Sequence, residues 1–341
     1  MTTTLPTFSQ LIDDEFTHTW YKIAPGIQDN IIDAVPAWAA LKAAGCMQTQ
    51  VGGKIIARDV RYGRASKTDI GKTDLLPAGK VELTTEARWP IRYIAVPIMR
   101  NMLEDRENQG EAMRHKLVET RLAAARDALL EGFETDLFAK VSSTAETTDK
   151  GIQGLNEMVP PYYHYNAESN TYGLLARSNT WWKSKYKAAG SNPEVSIIDD
   201  MQSLYMSCTA NLEAPKLIIT SEEWFRIYLS FGLDVTQVIK DEGSRLVDLG
   251  YEVARFNGKP MIYQDNVRLQ YPAATYFNEM LMLNTDYIEV VNDPTMWFYM
   301  TEFKRDPLSL DAVAHILCAM NIITTQPRRH GRLYSLTSLP A

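Results

Sequence analysis

The sequence has few cysteines, no long apolar run and no leader pattern, and each of these absences excludes a class of protein. The three cysteines, Cys46, Cys208 and Cys318, are far apart and odd in number, which excludes a disulfide framework and a CxxC metal or redox motif. No segment approaches the ~18 consecutive apolar residues of a membrane span, and the first residues lack the pattern of a signal peptide. We therefore expect a soluble protein with reduced, mostly buried thiols, made in a cytoplasm.

The charge balance is acidic rather than basic. Lysine and arginine number 35 against 42 aspartates and glutamates, a formal net charge of −7. Proteins whose main task is gripping nucleic acid neutralise phosphates with clustered basic residues, so this balance argues against that class. One short cluster, Arg328, Arg329 and Arg332, is more typical of a solvated strand end than of a DNA footprint. The length of 341 residues, 45% of them hydrophobic, predicts about two globular domains.

Gly71-Lys72-Thr73 resembles the end of a phosphate-binding P-loop, but its surroundings do not fit. That motif needs a glycine five residues before its second glycine, and Ser66 stands there. The segment also lies between two predicted antiparallel strands, whereas a P-loop joins a strand to a helix. Nucleotide binding is therefore not predicted.

The sequence gives little evidence for any other catalytic, metal-binding or base-stacking site. The five histidines show no metal-ligand spacing. His164 lies among tyrosines, which favours a contact surface over a pocket, and His315 favours a hydrogen-bonded place in the core. The tandem Trp181-Trp182 has the chemistry to stack on bases, but one core tryptophan and one at an interface is the more typical arrangement. We predict no catalytic, cofactor-binding or metal-ligating residue and no cofactor.

The clearest pattern that is present predicts a β-hairpin. From Val81 to Tyr93 apolar and polar residues alternate, which places one apolar and one polar face on a strand. Lys54 to Tyr62 is the expected partner, and Arg64 to Gly79, rich in Lys, Asp, Thr and Gly, is the expected tip. A two-stranded hairpin is marginal alone in water, so its apolar stripe needs a surface, on its own body or on a neighbour.

The strongest helical pattern follows, from about Glu111 to Ala139. Leu122, Leu129 and Phe133 belong to an apolar stripe with three- and four-residue spacing. At 1.5 Å per residue the helix would be about 40 Å long. No partner helix of similar length follows, so we expect it to lie against a sheet.

The remaining pattern mixes helices and strands, which predicts the α+β class. The expected helices are Ser178 to Ala189, Glu194 to Asn211 and one from Ser221, with a capping box formed by Thr220 and Glu223. A hairpin is expected to turn at Asn257-Gly258. The expected strands are Lys216 to Thr220, Tyr251 to Phe256, Lys259 to Tyr263, Tyr276 to Leu283, Tyr287 to Val291, Met296 to Phe303 and Ala312 to Thr325.

Several segments have apolar surface that a single subunit is not expected to bury. Phe16, Trp20 and Tyr21 lie in an N-terminal stretch that has no pattern for a core of its own. Together with the hairpin and the long helix, this stretch presents apolar surface of the kind that marks protein–protein contacts. We expect the contacts to be head-to-tail, which generates rings and shells rather than a two-fold dimer.

The order of these parts resembles the major capsid (coat) proteins of tailed double-stranded-DNA bacteriophages, which have the HK-97-like fold. Short motifs along nearly the whole chain carry the resemblance, and their collinearity gives it weight. They are Asp29 to Val35, Gly151 to Leu155, Arg177 to Trp182, Pro215 to Ser221, Phe256 to Pro260, Leu283 to Ile288 and Arg328 to Gly331.

The resemblance implies an α+β HK-97-like capsid fold divided into five parts. They are an N-terminal arm (1–50), an extended β-hairpin loop or E-loop (51–98), the peripheral domain with its spine helix (99–141), an axial domain (142–285) and the C-terminal strands of the peripheral domain (286–341).

The implied function is structural. The subunit would assemble into the hexamers and pentamers of an icosahedral head, in the host cytoplasm, and enclose double-stranded DNA without sequence-specific binding. The implied partners are other copies, a portal protein and a separate scaffolding protein, because no room for a scaffolding region precedes residue 52; a decoration protein stays open, and no membrane is involved. The expected assembly contacts are Phe16, Trp20, Tyr21, Arg64, Lys67, Asp69, Lys72, Asp74 and Leu75.

Two alternatives stay open at this point. An encapsulin-like nanocompartment shell keeps the fold and encloses cargo enzymes instead of a genome. An enzyme with an unrecognised site at His164, the tryptophan pair or Gly71-Lys72-Thr73 changes the class of function altogether.

Overall fold

The computed structural model describes residues 35–63, 67, 69, 82–101, 111–138, 151–161, 171–190, 193–210, 213–232, 254–264, 269–270, 276–277, 279–305 and 311–334. Its helices are α1 Pro36–Ala43, α2 Glu111–Leu137, α3 Leu155–Met158, α4 Pro193–Cys208 and α5 Glu222–Gly232. Its strands are β1 Met47–Thr49, β2 Ile55–Arg61, β3 Thr84–Pro90, β4 Arg92–Asn101, β5 Thr171–Tyr172, β6 Leu175–Ala176, β7 Lys185–Ala188, β8 Leu217–Thr220, β9 Ala254–Phe256, β10 Lys259–Tyr263, β11 Leu269–Gln270, β12 Tyr276–Phe277, β13 Glu279–Leu283, β14 Ile288–Asn292, β15 Tyr299–Met300, β16 Lys304–Arg305, β17 Asp311–Thr324 and β18 Gly331–Tyr334.

The first sheet is built around β17, the nearly continuous apolar run near the end of the chain. One edge of β17 pairs in turn with β14, β15 and β16, and the other edge pairs with β4 from Asp311↔Asn101 to Met320↔Arg92. β1 extends the sheet by parallel pairing with β14. Strands distant in sequence therefore meet on one central strand.

The long helix α2 lies against this sheet, as its apolar stripe predicted. Leu122, Leu129 and Phe133 are buried, and the ring of Phe133 stacks on Phe298 with centroids 5.9 Å apart. Trp38 of α1 packs edge-on against the same ring and donates its indole N–H to the Phe133 carbonyl at 3.0 Å. The helix, the sheet and the segment before β1 therefore share one core.

The second sheet has the strand order β7-β18-β13-β8-β10-β9. Every residue of β8 and β13 is buried, and α4 and α5 pack on the sheet through Ile197, Leu204 and Trp224. β9 and β10 turn at Asn257 and Gly258, both with positive φ (49° and 74°), which confirms the predicted hairpin over the described residues.

The predicted helix from Ser178 to Ala189 is wrong. The segment forms a 3-10 turn, Thr180–Trp182, and then β7, which pairs in parallel with β18 from Lys185↔Gly331 to Ala188↔Tyr334. The sequence holds the reason, because Lys183 and Lys185 alternate with buried Trp182 and Ser184. A period of two is typical of a strand, and pairing with β18 overrides helical propensity.

Three smaller predictions need correction. The strand expected from Val81 to Tyr93 breaks at Ile91, and Tyr93 faces solvent instead of sharing the buried face of Trp89. Between Met296 and Phe303 only Tyr299–Met300 pairs as a strand, because Pro294–Met296 forms a 3-10 turn.

The third correction concerns the capping box. Thr220 is the last residue of β8 rather than a helix cap, and its hydroxyl donates to the Ser221 carbonyl at 3.4 Å. Helix α5 begins one residue later than that box requires, at Glu222.

Candidate assembly surfaces

The hairpin is the first candidate surface, and the structure confirms its pairing. β2 and β3 run antiparallel from Ile55↔Pro90 to Arg61↔Thr84. The amides of Tyr62 and Gly63 extend the ladder, since both donate to the Leu83 carbonyl, at 3.1 and 3.2 Å.

The inner face of the hairpin is covered by its own subunit. Trp89 is fully buried, and its ring contacts Tyr172 and Trp182. The Arg88 amide donates to the Gly173 carbonyl at 3.1 Å, at the turn between β5 and β6. The subunit itself therefore covers the apolar stripe at Ala87 and Trp89, whereas Leu83, nearer the tip, is 37% exposed.

The outer face of the hairpin is charged. Asp59 stands directly opposite Glu86, and Glu86 forms an ion pair with Arg88 at 3.0 Å. The hydrogen bond from Arg88 lowers the pKa of the Glu86 carboxyl below its usual value. Two acids directly opposed in a sheet disfavour each other, and Arg61 and Arg88 on the same face offset their charge.

Of the nine expected contact residues, the structure describes two. Lys67 and Asp69 form an ion pair at 2.9 Å with side chains 85% and 87% exposed. Both are therefore available to a neighbour. Phe16, Trp20, Tyr21, Arg64, Lys72, Asp74 and Leu75 lie outside the described residues.

An aromatic ladder joins the hairpin to the body. Tyr62 stacks on Trp181 with ring centroids 5.0 Å apart and an interplanar angle of 27°. Trp181 contacts Trp182 at 5.7 Å, and Trp182 contacts Trp89 at 6.4 Å and donates its indole N–H to the Tyr172 carbonyl at 2.9 Å. Trp182 therefore lies in the core, and Trp181 binds the hairpin of its own chain.

The outer face of the first sheet is apolar and exposed, a feature that sequence reasoning missed. Tyr93 and Met99 of β4 are 61% and 62% exposed, and Pro97 between them faces the same way. The adjacent strands add Tyr299 and the partly buried Leu317. Little in the sequence indicates this face, because β4 has apolar residues on both faces. Its alternation therefore does not show which face is exposed.

Two of the three arginines of the basic cluster near the C-terminus, Arg329 and Arg332, are buried. Arg332 is fully buried and forms an ion pair with Glu279, and its other nitrogen donates to the Asn156 side chain. Burial raises the pKa of Glu279 to about 7, although Arg332 opposes the shift. Arg329 pairs with Glu213 at 2.6 Å. The expectation of a solvated strand end is therefore wrong for Arg329 and Arg332, and neither is placed to bind DNA.

The described side chains of histidine and cysteine, which are those of His315, His330 and the three cysteines, do not assemble a reactive site. His315, expected in the core, is exposed on the outer face of β17, whereas His330 is fully buried. All three cysteines are buried, and desolvation raises the pKa of each thiol to about 12, so none is a ready nucleophile. Among the described residues no group of His, Cys, Asp or Glu is arranged to hold a metal ion. Within the same residues no helix is long and apolar enough to cross a membrane.

Comparison with solved structures finds chains that have a similar fold. A chain of the Cyanophage A-1(L) capsid asymmetric unit superposes with a TM-score of 0.63 at 14% identity, over 86% of this chain and 92% of that one. The capsid of a native GTA particle gives 0.55 at 12% identity, over 88% and 90%. A chain of Gordonia phage Cozz gives 0.50 at 9% identity, over 88% and 87%.

This chain shares the fold of these capsid chains. The α+β, HK-97-like fold expected from the sequence is thereby confirmed over most of the molecule. No protein-family model and no curated protein matches the sequence. The relationship is therefore carried by structure rather than by residue identity.

Proposed function

We propose that the chain is the major capsid subunit of a tailed bacteriophage, a structural protein rather than an enzyme. The observation that carries the proposal is the superposition on a phage capsid chain over 86% of this molecule and 92% of that one. The collinear sequence motifs, from Gly151 to Leu155 through Arg328 to Gly331, agree with it.

The division into arm (1–50), E-loop (51–98), peripheral domain (99–141 and 286–341) and axial domain (142–285) is part of this proposal. The first sheet with α2 supports a peripheral domain, and the second sheet supports an axial domain. β18 pairs with β7 and β13, so we place residues 331–334 with the second sheet rather than with the peripheral strands.

The proposed activity is assembly into hexamers and pentamers that close around double-stranded DNA, in the host cytoplasm. A net charge of −7 suits a wall that must not hold DNA tightly during packaging. A separate scaffolding protein and a portal protein are the proposed partners, and a decoration protein stays open. The proposed contacts remain Phe16, Trp20, Tyr21, Arg64, Lys67, Asp69, Lys72, Asp74 and Leu75.

Electron microscopy of the purified protein, alone and with a candidate scaffold, tests the proposal. We expect closed icosahedral shells, and only monomers or dimers under every condition would contradict it. DNA inside particles isolated from cells distinguishes a phage head from an encapsulin-like compartment, which would contain protein cargo. ATP hydrolysis by purified subunits would instead favour the enzyme alternative.

A further inference from the structure

Among the described residues, the hairpin is fixed to its own subunit at a root, at the Arg58–Glu289 ion pair of 2.8 Å between β2 and β14, and at a distal ring stack. At its root, Trp89 is fully buried and Arg88 is hydrogen-bonded to Gly173. At its distal end, Tyr62 and Trp181 are both only partly buried, and a single ring stack joins them. Such a stack contributes little beyond its buried area, enough for up to about a tenfold bias between closed and open states.

The residues around Tyr62 hold its ring in place. The Tyr62 hydroxyl donates to the Glu82 carboxylate across the hairpin at 3.3 Å. A Cβ at Gly63 would lie 2.4 Å from the Glu82 carbonyl oxygen, so the two strands approach closely at that point. The stack therefore forms at the distal end of the described part of the hairpin.

We propose that Tyr62 and Trp181 form a latch that sets the direction in which the distal hairpin leaves the subunit. The latch opens while the root at Trp89 stays docked. Tyr62 and Trp181 are thus positioning residues for the contact between copies, and their role in assembly rests on the proposed function.

Hydrogen exchange of the unassembled subunit tests whether the ring stack holds the distal ladder closed. The Tyr62 and Gly63 amides, both bonded to Leu83 within the hairpin, report fraying of that ladder, and the Arg88 and Ile91 amides, bonded to Gly173 and Lys54, report the root. In Trp181→Ala and in Tyr62→Ala the distal amides should exchange up to about tenfold faster, with the root amides unchanged. The double variant should match Tyr62→Ala, because Tyr62→Ala already removes the ring stack as well as the Tyr62–Glu82 hydrogen bond.

Matched variants separate the latch from general loosening. Trp181→Phe keeps an aromatic face and should retain most of the protection, and Tyr93→Ala removes an exposed tyrosine elsewhere and should change nothing. Distal amides that do not respond, or root amides that accelerate equally, would overturn the latch. If Trp181→Ala does not fold, Tyr62→Ala decides alone, since its ring lies at the surface.

The effect of the latch on assembly is measured separately, by counting closed shells with electron microscopy. Latch variants with intact roots should give fewer closed shells than wild type, and unchanged shell yields would overturn the positioning role. If the wild-type protein forms no shells, the proposed function fails, whereas the exchange result still decides whether the latch exists.

Discussion

At the scale of single residues, buried polar groups hold the C-terminal strands in place. His330 is fully buried between the two sheets, where its Nδ1 accepts a hydrogen bond from the Asn284 amide at 3.1 Å and its Nε2 contacts the Thr324 hydroxyl at 2.8 Å. An Nδ1 that accepts must be unprotonated, and burial lowers the pKa of the ring from 6.5 to about 3. The fold therefore depends on a neutral histidine.

This dependence predicts acid sensitivity. Between pH 6.5 and about 3 the unfolded chain binds one proton more than the folded chain at His330. The free energy of unfolding should therefore fall by about 1.4 kcal/mol per pH unit below pH 6.5 through this group, and its contribution is complete above that pH. Urea unfolding of wild type and His330→Asn, which keeps an acceptor near Nδ1, measures the difference.

The comparison with the variant is needed because Glu279 acts in the opposite direction. Its pKa is raised from 4.5 to about 7, so its contribution is present below pH 4.5 and is lost as the pH rises through about 7. Wild type and His330→Asn share that contribution. Equal pH slopes for the two proteins would contradict the account of His330.

At the scale of elements, the root of the hairpin depends on one glycine. Gly173 has φ +59°, and a Cβ there would lie 2.8 Å from the Trp89 ring. Gly258 has φ +74° with nothing within 4 Å of a Cβ. Gly258→Ala should cost about 1–2 kcal/mol for left-handed backbone alone, and Gly173→Ala about 1–3 kcal/mol more for the clash with the ring. Equal losses in urea unfolding would show that Trp89 is not held against this turn.

The hairpin and the long helix were predictable because their patterns are local. The alternation from Val81 has the period of a strand, and the apolar stripe through Leu122 has the period of a helix. The structure has the predicted type of element at both places. The break at Ile91 was not predictable, because both faces of the following strand are apolar and only pairing with β17 decides which is buried. β7 was missed because its short alternation matters only once β18, distant in sequence, lies beside it.

The candidate site was predictable in part for the same reason. Sequence reasoning indicated a hairpin whose apolar stripe needs a surface, but it left open which surface. The structure shows that Trp89 is buried in its own subunit, so this part of the stripe is not available for a contact between copies. What remains for a neighbour is the charged outer face and the residues beyond Tyr62.

Removing those residues gives the element-scale test. A variant that lacks Ser66 to Ala78 and joins the strands by a short turn keeps β2, β3 and the root at Trp89. We expect a folded subunit with an unchanged unfolding midpoint that forms no closed shells by electron microscopy. Normal particles from this variant would contradict the role of the hairpin as an arm between subunits.

At the scale of the whole molecule, the fold is shared with capsid chains at 12–14% identity. Cores tolerate such divergence when volume and pattern are kept, whereas contacts between copies must fit within one particle. The surfaces that specify assembly are therefore the part of the chain that we expect to differ most between proteins of this fold. Likeness of fold does not by itself state a function, and the pairing of surfaces has to be tested on this protein itself.

A head-to-tail contact has a consequence that a two-fold contact lacks. In a head-to-tail ring each subunit offers its hairpin to one neighbour and receives a hairpin from another, so a subunit without the tip still receives but offers nothing. Adding the Ser66 to Ala78 deletion to wild type should therefore lower the number of closed shells faster than in proportion to its fraction, because a single incomplete contact interrupts a ring. Counting shells by electron microscopy across a series of mixing ratios measures this. A decline in simple proportion, with wild-type subunits assembling apart from the variant, would show that the deleted subunits receive no hairpin and that the contact is not head-to-tail.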